Sequence, residues 1–508
     1  MKKYIIVLIL FCTISLSGYE TLPTYHWAYD DIFYLKNRNL FNEIDLAIRP
    51  IKRIDVAREI LNSCTMNSAE LIAQERWACE RLASEFSYEI AQLQKYASAD
   101  LKFKMRSVSD VKLLEDLANR NEFLFRENLQ GKFRFNLNNN LTLLTSAVLD
   151  QNVQDDPSYD GSTRWGLGMY AQEAYINYGR KHTDFKFGRD FLVWGQAKND
   201  NLLLSDNALP LNQFNFNLHY KWLHLNYFLA TLDDYQDVDR FMAGTRLQFN
   251  VLSNTLVIAA NQINLWTGND RYLEFAFANP LLFTYFEHFN NNGQTNTFYS
   301  LDMAYYTPWK NKIYFELLLD DFQYEQKSVS DLEPNEIGFT VGLDNSYIPF
   351  VPGLNINLFY TRVTNRTYNT LDASERFIHK GKCLGHSLEN DFDQIYIDMS
   401  RYHLSWLETK GVFKYTRHGE GGLDQEFDRP WSEYTVAQGY AEAFPYGVVE
   451  KKYSGLVEIN FHPFKYARIG TSFELEHTTN HNNVEDSTGW DYEALLSVEL
   501  NLDYILKL

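Results

Sequence analysis

The chain is poor in several residue types. Its 508 residues include only 12 prolines, 7 methionines and 4 cysteines. Four cysteines are too few for a disulfide scaffold, and no CxxC or paired Cys/His spacing offers a metal site, so neither a metal nor any other cofactor is expected. No internal run of roughly eighteen apolar residues occurs, and the mean hydropathy is −0.38, which excludes a bundle of membrane-spanning helices. Positive charge is scarce: 47 basic residues stand against 66 acidic ones, for a net charge of −19. A nucleic-acid partner would need a basic footprint that this composition lacks. Aromatic residues, in contrast, are abundant, with 34 Tyr, 36 Phe and 10 Trp making 16% of the chain. Disordered chains are poor in such residues. The chain is also longer than the usual soluble domain of about 100–200 residues. A β-rich, exported protein fits all of these.

Export is signalled at the N-terminus. Lys2 and Lys3 precede an apolar stretch from Tyr4 to Leu16, and Ser15, Ser17 and Gly18 are small enough for cleavage. Residues 1–18 therefore read as a secretory signal peptide. The apolar run is short for an uncleaved anchor. Cys12 follows Phe11 inside that run, which does not suit lipid attachment. Cys64, Cys79 and Cys383 remain in the mature chain. Cys64 and Cys79 could pair in an oxidising compartment, leaving Cys383 alone, although spacing does not give the Cα separation that decides it.

The hydrophobic period then divides the chain. Residues 19–118 read as a small helical domain. Trp27, Ile32, Leu35 and Leu40 recur at three-to-five spacing, Ile54 to Leu61 continues after Pro50, and Ser68 to Tyr96 forms a long amphipathic run. Its expected role is packing, as a plug without chemistry of its own. From residue 119 to 508 the period is two. Leu354 to Leu358 and Tyr453 to Phe461 alternate cleanly, and from Tyr492 to Leu508 the apolar residues all face one side. That final alternation far exceeds the usual strand of about five or six residues. A soluble sheet would have to cover such an apolar face with a second sheet, whereas a membrane barrel turns it to lipid and leaves no open edge. Tyr453, Phe461, Tyr492 and Tyr504 suit interfacial girdles. The fold class expected is thus an all-β transmembrane barrel with a small N-terminal α-helical periplasmic domain.

Short turns are expected near 138–140, 179–181, 253–254, 308–311 and at His462-Pro463-Phe464, and longer connections near 190–210, 267–296, 365–390, 418–452 and 477–490. By the usual habit of outer-membrane barrels, the short turns and C-terminus are periplasmic and the long loops extracellular. Counting back from the C-terminus gives about sixteen strands as far as Leu141. An even total takes two more from around Leu113 to Leu137, for about 18 antiparallel strands.

Catalytic motifs are scarce: no GxSxG, HExxH, P-loop or GxGxxG occurs in a supporting context. Asp320-Asp321 could serve as an acid/base pair, but neighbours on a strand point to opposite faces unless a bulge intervenes. Three loops are too aromatic or apolar to be simply solvated. One carries Arg189, Asp190, Trp194, Leu202 to Leu204 and Asn207. A second carries Glu274, Phe275, Phe277 and Pro280, and continues through Tyr285 to His288. The third carries Trp431, Tyr434, Tyr440, Phe444 and Tyr446. The first two are expected to fold inward and fill or narrow the lumen mouth, and the third is open to the same reading. The sharper reading is a sugar-binding surface, since rings stack on sugar faces and Arg, Asn, Asp and Glu exchange hydrogen bonds with hydroxyls. Arg189, Asp190, Trp194, Asn207, Glu274, Trp431 and Tyr434 are the candidate contacts.

Gly188-Arg189 followed by Trp194-Gly195, then Leu203-Leu204-Ser205 with Asn207-Ala208, resembles the Wzi family of outer-membrane capsule assembly proteins. Glu274, Pro280, Asn291-Asn292, Ser300-Leu301-Asp302 and Asp320-Asp321 continue the likeness, as do Trp27-Ala28-Tyr29-Asp30 and Arg49-Pro50. The resemblance implies an eighteen-stranded barrel with a periplasmic helical bundle. It would act as a surface lectin, without catalysis, holding capsular or exopolysaccharide to the cell; its other partner is outer-membrane lipid, and a monomer is expected. A diffusion porin is the alternative from barrel size. An outer-membrane hydrolase would rest only on the acidic pair and scattered His residues.

Overall fold

The computed structural model describes residues 20–65, 71–94, 100–115, 121–137, 140–154, 156, 159, 161–283, 295–323 and 332–507. Residues 1–19, which include the expected signal peptide, residues 284–294 and Leu508 lie outside them. Eighteen long antiparallel strands close into a barrel. They are β1 (Asp100–Glu115), β2 (Asn121–Leu137), β3 (Leu141–Asp150), β4 (Leu167–Gly179), β5 (Thr183–Asp190) and β6 (Leu211–Tyr220). Next come β7 (Leu223–Thr231), β8 (Asp239–Val251), β9 (Leu256–Gly268), β10 (Thr295–Tyr306), β11 (Asn311–Asp321) and β12 (Glu336–Asn345). The last are β13 (Leu354–Val363), β14 (Phe392–Leu404), β15 (Leu407–His418), β16 (Glu450–Phe464), β17 (Ala467–Thr479) and β18 (Thr488–Lys507). The ladder between β1 and β18, from Asp100 opposite Lys507 to Glu115 opposite Tyr492, removes the last edge.

Alternation sorts the side chains. On β3, Thr142, Leu144, Ser146 and Val148 are buried inside while Thr145 and Ala147 point out. Phe123, Phe133, Phe187, Leu301, Phe413, Val457 and Leu496 are exposed on the outer wall, a belt that only lipid can cover favourably. Two expectations need correction. The barrel begins at Asp100, so the boundary at 118/119 falls behind the first strand. Outward Leu101, Phe103 and Met105 give way to Ser107 and Ser109, which interrupts the apolar alternation directly after a helical region. The last hairpin turn in that half lies at Lys465-Tyr466 rather than at 462–464. Pro463 belongs to β16, where the register shifts between Phe461 and Phe464, a place that tolerates the missing N–H.

The helical unit comprises α1 (Ala28–Asn37), α2 (Arg53–Glu59, continued as a π-helical segment, Ile60–Thr65), α3 (Ala73–Glu85) and α4 (Ser87–Gln94). The long amphipathic run thus breaks at Phe86, whose fully buried ring joins Leu22, Ile32, Leu35, Phe41, Val56 and Leu82 in a core. Cys64 and Cys79 are disulfide-bonded with Cα atoms 5.8 Å apart, and Cys383 is free and buried.

The unit closes the short-turn end of the barrel. Arg38 Nη1 donates to the Ser346 carbonyl (2.9 Å), and Asn39 Nδ2 donates to that of Thr307 (3.0 Å). Arg81 grips Asp31 through Nε (2.9 Å) and Nη2 (2.7 Å), and its guanidinium lies 3.5 Å from the centre of the Tyr402 ring. Deeper in the lumen, Arg134 bridges Glu20 (2.7 Å) and Asp100 (2.8 Å) while Arg53 holds Glu89 (2.8 Å). Removing one member of a buried pair leaves the other charge uncompensated, at about 3–5 kcal/mol. Arg81→Met should therefore speed amide hydrogen exchange in α1 and α3 while the barrel still migrates as a folded, heat-modifiable band. Unchanged exchange would show that this pair does not seat the unit.

Candidate functional site

The site is built from the lumen outward. Beyond β5 the chain turns inside the barrel, and two glycines make the path possible. Gly188 (φ +129°) lies so close to β4 that a Cβ would meet the Ala174 carbonyl at 2.2 Å. At Gly195 (φ +141°) a Cβ would meet Asn201 Oδ1 at 2.2 Å and Glu316 Oε1 at 2.7 Å. Between them, Val193–Trp194 forms a two-residue antiparallel ladder with Ile48–Arg49 of the helical unit. Glu316 of β11 then accepts the backbone N–H groups of Gln196, Ala197 (3.0 Å) and Leu202 (3.3 Å). Leu202 to Leu204 pack with Trp194, Phe228, Phe298, Tyr368, Phe377, Cys383 and Leu384 in an apolar core inside the barrel. The segment 364–391 is tied to it by Ser205 N donating to the Leu384 carbonyl (2.9 Å).

Most of the residues singled out from the sequence serve this construction. Trp194 is buried, its Nε1 donating to Asn226 Oδ1 (2.7 Å), so it offers no face to a sugar. Asp190 is fully buried against Lys186 and Thr21. Asn207 Nδ2 is spent on the Cys383 carbonyl (2.9 Å). Arg189 lies in register with Phe185 and Phe187 on the outward side of β5, donating to Asn212 Oδ1 (2.9 Å) and the Ala171 carbonyl (3.2 Å), away from the lumen.

The loop after β9 also departs from expectation. Glu274 pairs with Arg271 (2.7 Å), and the described part of this loop runs down the outer wall instead of folding inward. Phe277 stacks on Trp266 (4.2 Å), Thr245 Oγ1 donates to the Pro280 carbonyl (3.0 Å), and Tyr227 and Gln262 take the carbonyls of Phe277 and Leu282. Polar side chains on the outer wall of β7–β9 hold it there. Asp320 and Asp321 do sit at a register shift, but Asp320 accepts the Tyr368 N–H (2.6 Å) and Asp321 accepts from Gln323 Nε2 (2.9 Å).

Two polar clefts open at the long-loop end. The first, about 750 Å³, lies between the inward segment and the inner wall of β14–β17. Asp200, Asp206, Glu389, Tyr396, Lys414 and Lys452 are among its lining residues. The second, about 690 Å³, is lined by Asn365, Arg366, Asn369, Glu420, Asp428 and Tyr446, with Asn482 and Asn483 at one side. Arg366 organises it. Its Nε donates to Asp428 Oδ1 (2.8 Å), Nη1 and Nη2 reach Glu442 (2.9 and 3.0 Å), and the ring of Trp431 lies 4.9 Å away. Trp431 is therefore fully buried beneath the cleft, with its Nε1 unpaired. Tyr434 stays exposed, its ring 5.2 Å from that of Tyr440, whose hydroxyl donates to Glu442 (3.0 Å). Arg366 was not singled out from sequence. Its local signal is only Asn365-Arg366-Thr367-Tyr368-Asn369 leaving a strand, and its carboxylate partners are 62 and 76 residues away.

Asp391 ties the two clefts together. Its carboxylate accepts the N–H groups of Gly421 (3.0 Å) and Tyr446 (3.0 Å), and its carbonyl accepts that of Gly419 (2.8 Å). Burial pushes the Asp391 carboxyl up to about 6, outweighing the Tyr446 and Gly421 N–H groups and His418, with Glu442 adding to the rise. A carboxyl raised in the folded loop favours closure below its ordinary value near 4, and that contribution is lost as pH rises through about 6. Protection factors across 419–449, corrected for the base-catalysed intrinsic exchange rate, should accordingly be higher at pH 5 than at pH 7.5. Asp391→Asn should flatten that step; an identical step in the variant would assign it to another group.

Against known proteins, the family model of the capsule assembly protein Wzi matches residues 105–489. Among solved structures, the chain is similar to Wzi of Escherichia coli, an outer-membrane protein involved in group 1 capsule assembly and described as a carbohydrate-binding β-barrel. Identity is 14%, the match covers 95% of this chain and 99% of that one, and the TM-score is 0.64. The Pseudomonas aeruginosa barrel OccK1 (OpdK) is 11% identical over 80% of this chain and 99% of its own, with a TM-score of 0.46. No curated protein matches. With the family model spanning most of its length over a closed eighteen-stranded barrel, this outer-membrane chain belongs to the capsule assembly protein Wzi family.

Proposed function

We propose that this protein binds capsular or exopolysaccharide at the cell surface and holds it there without catalysing a reaction. In this reading the long loops are extracellular, the helical unit is periplasmic and a single copy is sufficient. The observation that carries it is the pair of polar clefts lined by Asn, Glu, Asp and Tyr side chains at the loop end, above apolar packing that fills one side of the lumen. Such a surface can exchange many weak hydrogen bonds with a hydrated polymer, while the inward segment and its apolar packing narrow the lumen beneath it. The family membership and the description of E. coli Wzi as carbohydrate binding support the same reading. Tyr446 is the cleft ring that would stack on a sugar face, with Asn365 and Asn482 lining the same cleft, and exposed Tyr434 on the same segment offers a second ring.

Tyr446→Ala combined with Asn482→Ala should weaken binding of the cell's own surface polysaccharide to the detergent-solubilised protein about tenfold, equivalent to about 1.4 kcal/mol. In cells, the same variant should move polymer from the bound to the shed fraction with total synthesis unchanged. Arg189→Ala, on the outer wall, should leave both readouts as they are. A shift caused by Arg189→Ala but not by the cleft variant would relocate the site. In planar bilayers the protein should show no stable conductance steps; regular steps would favour a diffusion channel.

A further inference from the structure

The chain after β9 supplies an element that the polysaccharide reading leaves unused. From Phe275 to Phe283 it holds no charged residue, whereas segment 419–449, at the same end of the barrel, carries seven. This stretch does not stand in solvent but returns along the outer wall. Thr245 and Gln262 are the middle residues of β8 and β9 and face each other across the ladder between them. They take the carbonyls of Pro280 (3.0 Å) and Leu282 (2.5 Å). The segment therefore reaches half-way down these strands. One outward step farther down lie Leu247, Ala260 and Leu301, cross-strand neighbours that are exposed in the bare apolar belt. The belt continues upward over the segment itself, where Leu281 is 80% exposed and Phe283 49%.

We propose that Phe275–Phe283 is an arm immersed in the membrane leaflet at the loop end, with Leu281 and Phe283 in contact with the acyl chains of the surrounding lipid. Hydrocarbon offers no hydrogen bonds, so irregular backbone is tolerated at that depth only where its polar groups are bonded within the protein. The arm meets this demand from two sides. The wall takes its carbonyls, with the Tyr227 hydroxyl on that of Phe277 beside the Thr245 and Gln262 contacts. Its own turns take its N–H groups: Phe277 donates to the Glu274 carbonyl (3.1 Å), Asn279 to that of Ala276 (3.2 Å) and Leu282 to that of Asn279 (3.0 Å). Leu281 donates to Asn279 Oδ1 (3.1 Å), and Pro280 has no N–H to satisfy. The same contacts account for Thr245 and Gln262, polar side chains at mid-height on a wall that otherwise faces lipid. Asn279 is the arm's one polar side chain, and its oxygen is already spent, so the outer face suits hydrocarbon better than a hydrogen-bonding partner. Tyr272, 80% exposed beside the Arg271–Glu274 pair, sits where the arm leaves the leaflet, as girdle aromatics do. This inference requires only a barrel in a membrane and is independent of what the clefts bind.

The test places a nitroxide label at Leu281→Cys in the full chain, reconstituted in phosphatidylcholine vesicles. Cys64 and Cys79 are disulfide-bonded and Cys383 is buried, and the parent chain taken through the same labelling gives the background. Collision of the label with oxygen, which concentrates in hydrocarbon, is compared with collision with a water-soluble nickel chelate. Oxygen should exceed the chelate severalfold at Leu281→Cys, as at Leu301→Cys on the bare wall. The order should reverse at Asp424→Cys on the exposed part of segment 419–449. Ala278→Cys, also exposed, gives a second position on the arm should the first variant fold poorly. A label on the arm that behaves like the one at Asp424→Cys overturns the inference. Poor access to both reagents overturns it too, and spectral broadening lost on dilution with unlabelled chain would then identify a second copy as the cover. Polysaccharide binding by the Leu281→Cys chain should equal the parent's, so that failure of the arm and failure of the clefts are read separately.

Discussion

The ladder between β1 and β18 is the constraint on which everything else depends. Once Asp100 to Glu115 is bonded to Tyr492 to Lys507, no backbone edge remains, and every strand must present one face to lipid and one to the lumen. The lumen face is then a closed, finite volume. Its charges cannot reach bulk solvent freely, so they are satisfied by one another or by chain sent in from the two ends. The helical unit supplies the partners at the short-turn end, where Arg53, Arg134, Glu20, Glu89 and Asp100 interlock. The inward segment supplies them higher up, where Glu316 collects three backbone N–H groups that would otherwise be orphaned inside a barrel.

Filling is uneven, and that unevenness positions the site. Apolar packing around Trp194, Leu203, Phe298 and Phe377 occupies one side of the lumen, next to β5–β13. Along β15–β18 the inward side chains are only half-buried, and ion pairs such as Arg468–Glu458 and Lys414–Glu474 line a wetter wall. The first cleft opens where the two sides meet, and the second lies just above it on the 419–449 segment. Asp391 joins them because one carboxylate holds the backbone of both Gly421 and Tyr446. The loop-end clefts are therefore an outgrowth of the plug, fixed by the same contacts that fill one side of the barrel.

Much of this is legible in the chain. The period-two alternation gave the barrel and sixteen of its strands, and the loop lengths separated its two ends. The motif around Gly188 and Gly195 is legible because positive φ and close backbone approach demand glycine there whatever the neighbours do. The functional residues were harder. Trp194 and Trp431 look like sugar platforms in a sequence, since exposed and buried tryptophans are written with the same letter, and both proved to be packing residues. Arg189 was misplaced because a residue at a strand end gives no local sign of which wall it faces when the alternation stops.

The sequence by itself determined the class of fold, the barrel's size to within its first strand, the helical unit and the acidic, aromatic character of the loops. These follow from local rules: hydrophobic period, turn composition and net charge. Only the tertiary structure decided which loop enters the lumen and which lies along the outer wall, and which ring is covered. It also decided that Arg366 and Asp391 organise the clefts. Those outcomes depend on contacts between residues tens to hundreds of positions apart, such as Arg366 with Glu442 and Ile48 with Trp194, which no local pattern encodes.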